Sequence, residues 1–470
     1  MTPGELWIMT MAGICIIMQS SAVHLRNMEH FITAVAHLEH LNPHLSSLAL
    51  VSNLRQIADQ THNITHGFMR SSNNETETHP KIKEQLNIDF NLSNFFSQAL
   101  HHFIIDAYEE KGVVLTPDGT TVALAPLLLG LESGLRAKND SNQPNGFYLH
   151  PLARMLGLSF LNSTPTVKLG PDGCWDSVSA PMVFTLSSKP SLVTDAVVHG
   201  GMDGAILGKH LSVVNCSQMN VSTLLRSYYT RTVEELDDVL DSHLKGRYRR
   251  QNFQKITSSS MLQEKVADVL SSPGDAEVES LIEKGIKEFV LRYLDCPSII
   301  PRCIWGAAPP QVPLELLSPP MSFLYIHHTA IPSKPCLNLQ MCSQNMRAMQ
   351  RFHQKDRGWY DIGYSFVLGS DGYIYEGRGW MSQGAHTKGR NNVGYGVAFI
   401  GDYSGRLPST HDMDLVRHHL VKCGVNNGFL QEDFTILGHR QVVVTTSCPG
   451  DALYSEITTW KHYKDKDPLK

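Results

Sequence analysis

Along the first 295 positions, apolar residues recur mostly at helical spacing. The stretch 94–110 carries Phe95, Phe96, Leu100, Phe103, Ile104 and Tyr108, close to a 3.6-residue period. Residues 232–245 place Val233, Leu236, Val239, Leu240 and Leu244 on one stripe. Residues 280–293 do the same with Leu281, Ile282, Ile286, Phe289, Val290 and Tyr293. A further apolar run, 121–136, is interrupted by glycine. Residues 23–295 therefore read as mainly helical, without an internal repeat. After Cys296 the texture changes. Short β-rich runs are predicted at 323–328, 364–368, 373–375, 393–400 and 434–437. The pair around Asp371-Gly372 forms a hairpin signal. Helices are predicted at 339–357, with Met346, Met349, Phe352 and Leu339 or Met341 on one side, and at 412–423, ended by Gly424. Strands interleaved with helices predict an α/β domain on a mixed sheet, preceded by a mainly helical region.

The 470-residue length fits two or three domains, and 42% apolar with 18% charged residues is globular composition. A net charge of -5 gives no general basic surface for nucleic acid or anionic membrane. The basic stretch 245–255, with Arg247, Arg249 and Arg250, reads as a solvated helix end or linker before it reads as a glycan-binding patch.

Leu6 to Met18 is an apolar run of 13, too short to span a bilayer and suited to a signal peptide, though no Lys or Arg precedes it. Ser20 and Ala22 offer a cleavage pattern, so the expected division is 1–22, 23–295 and 296–470, with no transmembrane segment. Seven Asn-x-Ser/Thr sequons start at Asn63, Asn74, Asn91, Asn139, Asn162, Asn215 and Asn220, all before residue 221. Their clustering beside a signal-like start points to a secreted glycoprotein. Cleavage would remove Cys15 of the nine Cys, and in an oxidising compartment most of the remaining eight should pair.

Candidate chemistry sits in the last third. His327 and His328 end an apolar strand. His439 follows another, and Cys448 precedes a Pro-Gly turn. Two imidazoles and a thiolate from distant segments can make a three-ligand zinc site with one open position. Neighbouring strand side chains face opposite ways, so one of His327 and His328 should enter the site; spacing does not say which. If Cys448 is a ligand, another Cys stays unpaired, with Cys303, Cys174 and Cys216 as candidates. A Cys-His hydrolase with Cys448 as nucleophile is disfavoured by Pro449 and by the lack of an Asn or Asp orienter.

Residues 296–465 strongly resemble the peptidoglycan recognition proteins, which are related to bacteriophage-type N-acetylmuramoyl-L-alanine amidases. The resemblance rests on Ile299-Ile300-Pro301-Arg302 with Trp305-Gly306-Ala307, on His327-His328-Thr329, and on Gly358-Trp359 leading to Asp361-Ile362-Gly363-Tyr364-Ser365-Phe366. It continues through Tyr375-Glu376-Gly377-Arg378-Gly379-Trp380, Gly384-Ala385-His386, Gly438-His439-Arg440 and Cys448-Pro449-Gly450. The long N-terminal extension resembles that of the secreted vertebrate amidases of this family.

The resemblance implies zinc held by His327, His439 and Cys448, a catalytic Tyr364, and Thr446 as a polar neighbour of the metal. Members with Ser at the Cys448 position bind peptidoglycan without cleaving it, so the thiol favours an enzyme acting on peptidoglycan in innate immunity over a binding-only receptor. His353, Tyr364, His386 and Asn391 match positions that touch muramyl peptide. Gly358, Trp359 and Arg378 match members that prefer meso-diaminopimelate stems, where a guanidinium can pair with the additional carboxylate. Disulfides Cys336–Cys342 and Cys296–Cys423 are implied, with no partner for Cys303. The path from His439 to Cys448 is one residue longer than the family pattern, which makes Thr445 a rival to Thr446 and exposes the site to damage.

Overall fold

The computed structural model describes residues 27–59, 112–139, 195–213, 220–229, 244–270 and 276–469, with single positions 88, 92, 96, 149, 152, 153 and 156. The apolar run at 6–18, most of the stripe at 94–110, nearly all of 232–245, and sequons Asn63, Asn74, Asn91, Asn162 and Asn215 lie outside them. Two compact units are formed, one of Met1–Tyr229 with Asp237–Ile282, the other of Thr230–Leu236 with Glu283–Lys470.

In the first unit the described elements are α1 (Met28–Leu41), α2 (Ser47–Asp59), β1 (Val113–Leu115), β2 (Thr121–Ala123), α3 (Leu124–Asn139), α4 (Asp195–Val213), α5 (Val221–Tyr228), α6 (Arg249–Ile256) and α7 (Ser259–Leu270). The run at 121–136 thus begins as a strand, paired antiparallel with β1, before turning helical. Helices α3 and α4 meet through glycine. A Cβ on Gly130 would lie 2.3 Å from the Gly204 carbonyl carbon, and one on Gly134 2.1 Å from the Gly208 oxygen.

The basic stretch at 245–255 is not a solvated end. Arg249 and Arg250 are buried, and Arg249 grips Asp203 through Nε (2.7 Å) and Nη2 (2.8 Å), with the Tyr228 and Tyr229 hydroxyls donating to the same carboxylate. The partner that buries this charge lies 46 residues away, beyond reach of a local charge pattern. Asn139 ends α3, whereas Asn220 is exposed ahead of α5 and makes no capping bond; Glu39 takes the Val221 and Ser222 N–H groups instead.

Helix α8 (Ala276–Phe289) leads into the second unit. Its further elements are β3 (Ile299–Ile300), α9 (Arg302–Trp305), β4 (Met321–His328), α10 (Leu339–Arg351), β5 (Phe366–Leu368), β6 (Ile374–Glu376), β7 (Gly394–Phe399), α11 (Thr410–Asp414), α12 (Val421–Asn426), β8 (Leu430–Gly438), α13 (His439–Val442) and α14 (Asp451–Ile457). The sheet order is β3-β6-β5-β7-β4-β8, parallel except for the β5–β6 hairpin. Parallel strands are covered on both faces, which explains their near-continuous apolar runs.

Alternation along the strands sorts the two faces. Leu324 and Ile326 of β4, Phe366 and Leu368 of β5, and Val397 and Phe399 of β7 face one core, with Leu415, Leu420, Leu453 and Trp460. Val367 and Ala398 face the other, with Trp305, Met346, Met349 and Ile362. On α10, Met346 and Met349 are buried as expected and Leu339, not Met341, packs against the same core, but Phe352, just past the helix, is exposed.

Helix α12 does not stop at Gly424. It runs to Asn426, and the left-handed residue is Gly428. A Cβ on Gly424 would lie 2.9 Å from Leu430 Cδ1 and 3.1 Å from the Trp380 ring, so this glycine serves close packing, not termination. Disulfides join Cys296 to Cys423 and Cys336 to Cys342. Cys303 is also disulfide-bonded, which removes it from the candidates for an unpaired thiol. Among the described residues no helix is long and apolar enough to cross a membrane.

Gly396 in β7 lies close against the His386 ring on the Ala398 face. A Cβ there would lie 2.3 Å from His386 Cγ. Gly396→Ala should therefore destabilise the second unit by about 1–3 kcal/mol, the usual range for overpacking. Urea unfolding measures this; an unchanged midpoint would mean that the His386 ring does not sit against β7.

Candidate metal and catalytic site

Strand pairing builds this site. β4 lies between β7 and β8, parallel to both, with Ile326 opposite Gly438 and His327 opposite Ala398. His327 ends β4, and His439 opens α13 directly after β8. Both imidazoles therefore emerge at the carboxyl edge of neighbouring strands, where open α/β sheets commonly place ligands. Their ring centroids are 4.4 Å apart.

Cys448 is brought in by a tied loop. The Arg440 N–H donates to the Cys448 carbonyl at 2.9 Å, Val443 N–H to the His439 carbonyl at 2.9 Å, and the Arg440 guanidinium to the Ser447 carbonyl. Donor atoms of His327, His439 and Cys448 all lie within 4.8 Å of one another. His327 Nδ1 is 3.6 Å from Cys448 Sγ. His328 faces the other side, its Nδ1 accepting the Tyr403 N–H at 3.2 Å, while its own backbone N–H points at Cys448 Sγ (3.4 Å).

The path from His439 to Cys448 turns at an exposed tip. Val444 and Thr445 stand exposed in a turn, with the tied segments on either side. Thr446 is half-buried, and its hydroxyl accepts the Cys448 N–H at 3.2 Å, so Thr446 and not Thr445 meets the thiol-bearing residue.

Tyr364 closes one side, with its ring 5.2 Å from His327 and 5.8 Å from His353. Gly377 makes room for its backbone, since a Cβ there would lie 2.2 Å from the Tyr364 carbonyl oxygen. His353 accepts the Gly363 N–H through Nδ1 (3.0 Å), and its ring packs 4.7 Å from Trp359. Gly358, at φ +67°, is exposed at the start of that turn.

The other expected contact residues are Arg378, His386 and Asn391. Arg378 spends Nε, Nη1 and Nη2 hydrogens on the carbonyls of Ile362 (2.6 Å), Gln383 (2.7 Å) and Asp361 (3.3 Å). Of five guanidinium N–H groups, two remain for a ligand. His386 is buried under Gly384 and Gly396, with its ring 5.3 Å from His327. Asn391 uses its side-chain oxygen to hold the His386 and Thr387 N–H groups (3.0 and 2.8 Å).

Burial dominates the electrostatics. It holds His327 well below the usual histidine range, helped by neighbouring imidazoles, and brings His439 to about 4, His353 to about 4 and His386 to about 3. At neutral pH these rings keep free lone pairs. Burial pushes the Cys448 thiol up to about 12, only partly opposed by the His328 N–H and Arg440. A cation bound here would have to displace that proton. Burial and the nearby Cys448 raise the Tyr364 hydroxyl above its ordinary range.

Two neutral imidazoles and one thiol, without a carboxylate, are a borderline-soft donor set suited to zinc and not to calcium or magnesium. Sequence reasoning missed Thr387, whose hydroxyl lies between His327 and His386. Its one signal was its position directly after His386 in the motif.

Residues 317–451 match the N-acetylmuramoyl-L-alanine amidase family. The chain is 37% identical to the mouse protein named N-acetylmuramoyl-L-alanine amidase, over 93% of this chain and 94% of that one. It is 37% identical to the human protein of that name, over 76% of each. A solved structure of peptidoglycan recognition protein-LE in complex with tracheal cytotoxin is 39% identical, covering 36% of this chain and 96% of that one, at a TM-score of 0.34. Full-length likeness to proteins of that name, together with the sheet-edge site, shows that the chain belongs to the N-acetylmuramoyl-L-alanine amidase family.

Proposed function

We propose that this protein is a secreted, zinc-dependent amidase that cleaves the bond between N-acetylmuramic acid and L-alanine in bacterial peptidoglycan, in the setting of innate immunity. The observation that carries this reading is the convergence of His327, His439 and Cys448, with Tyr364 beside them. His327, His439 and Cys448 would hold the ion. Zinc in that position supplies a Lewis acid for the amide carbonyl and for water.

Tyr364, whose hydroxyl keeps its proton, donates a hydrogen bond to the oxyanion that develops at the carbonyl. Thr446 fixes the Cys448 backbone. The muramyl peptide lies along Tyr364, His353 and Trp359, while His386 and Asn391 act from beneath. Binding without cleavage is the weaker alternative, because the path from His439 to Cys448 turns at the exposed Val444–Thr445 tip, away from the tied ends.

Arg378 keeps two N–H groups beyond those that bind its own loop, and these favour meso-diaminopimelate stems through the additional carboxylate. Residues 1–22 act as the signal peptide, residues 23–295 form the glycosylated region, and residues 296–470 carry the chemistry. Exposure of Asn220, free of any capping bond, supports its availability to glycan.

Soluble muramyl peptides should release free stem peptide, seen by mass spectrometry. A chelator should stop this, and Tyr364→Phe should slow it about 10²–10³-fold while binding persists. Tight binding without release in wild type would contradict the amidase reading; release after thorough metal removal would contradict zinc. Arg378→Lys should narrow the preference for diaminopimelate over lysine stems, and an unchanged ratio would remove Arg378 from stem selection. Expressed in animal cells, the chain should enter the medium, begin after Ala22 and lose mass on glycosidase treatment. Retention with residues 1–22 intact would refute secretion.

A further inference from the structure

Thr387 stands where a metal ligand and a buried imidazole meet. Its side chain is fully buried, and its Oγ1 lies 3.3 Å from His327 Nε2 and 3.0 Å from His386 Nδ1. Among the described contacts those two nitrogens flank the hydroxyl. A hydroxyl has one hydrogen and two lone pairs, so it can donate to at most one of these nitrogens.

Two directions use the hydroxyl hydrogen between these nitrogens, and accepting from both would also place the His327 hydrogen on Nε2. In the first, His327 Nε2–H donates to Thr387, and Thr387 O–H donates to His386 Nδ1. His327 Nδ1, the nitrogen 3.6 Å from Cys448 Sγ, then carries a lone pair. In the second, both bonds reverse, and His327 carries its hydrogen on Nδ1, aimed at the thiol. That tautomer cannot bind a cation shared with Cys448.

We infer that Thr387 is a positioning residue for the metal centre: its hydroxyl accepts from His327 Nε2, donates to His386 Nδ1, and so fixes His327 as the tautomer whose Nδ1 lone pair faces Cys448. This deepens the zinc reading and rests on it. Outer partners of metal-ligating histidines commonly fix tautomer and ring orientation in this way. Here the outer partner is a hydroxyl, and its own orientation is set by a second imidazole. That gives buried His386 a role beneath the centre.

Thr387 is itself held firmly. Asn391 Oδ1 takes its N–H, and the Arg390 N–H donates to its carbonyl at 3.0 Å. The Arg390 guanidinium is clamped to Asp467 (2.9 Å) and to the Leu469 carbonyl (3.1 Å). The C-terminal segment thereby fixes the turn that carries the hydroxyl. Supporting groups of this kind decide whether a site is tight or loose.

The test combines metal affinity with a tautomer measurement on the full-length protein. Zinc affinity, by competition with a chromophoric chelator, should fall about 10–100-fold in Thr387→Val and return to within about threefold of wild type in Thr387→Ser. Nitrogen-15 NMR of metal-free wild type should show His327 protonated on Nε2. Equal zinc affinity in wild type and a folded Val variant would overturn the inference, as would a His327 protonated on Nδ1. If the Val variant fails to fold, the wild-type tautomer decides alone. If wild type binds no zinc, the metal reading fails separately, and the tautomer still tests Thr387.

Discussion

The site depends on the parallel pairing of β4 with β8. It sets Ile326 against Gly438, so the residues that follow, His327 and His439, leave the sheet side by side. A register slip of one residue would exchange His327 for His328 on the site face, because strand side chains alternate. The structure guards that register from both sides. Leu324 and Ile326 are locked into one core, while Tyr325 and Phe323 stack on the other face (5.8 Å) with Leu437 beneath. His328, turned away, is held by the Tyr403 N–H.

Close backbone approach is the second requirement. The rings around the site fit only because Gly363, Gly377, Gly384 and Gly396 carry no side chain; a Cβ at Gly363 would lie 2.7 Å from the Ala385 oxygen and 2.8 Å from the Trp359 ring. Burial of this kind keeps the imidazoles neutral. The same burial disfavours the thiolate, so the centre is poised for a cation that would make burial of that charge acceptable.

Much of the second unit was legible in the sequence, because a sheet buried on both faces writes apolar runs bounded by turns. Motif residues at strand ends, His327 and His439, could be found the same way, and Cys448 by its place before a Pro-Gly turn. Faces were harder: parity showed that one of His327 and His328 enters, and only pairing with β8 shows why it is His327. Gly424 looked like a helix end because glycine often is one, yet here it admits Trp380 and Leu430. Arg249 looked solvated because Asp203 is distant in sequence. The three carbonyls that Arg378 holds carry no signature in composition. Thr387 was passed over because a threonine beside a histidine is common and its meaning lies in a strand 60 residues away.

The central claim is that His327, His439 and Cys448 form one metal centre. Anomalous diffraction across the zinc edge, on crystals of protein isolated without added metal, tests it directly. The account predicts one zinc per chain, bonded to His327 Nδ1, an imidazole nitrogen of His439 and Cys448 Sγ. A Cys448 engaged in a disulfide, or a zinc bound only elsewhere, would contradict it.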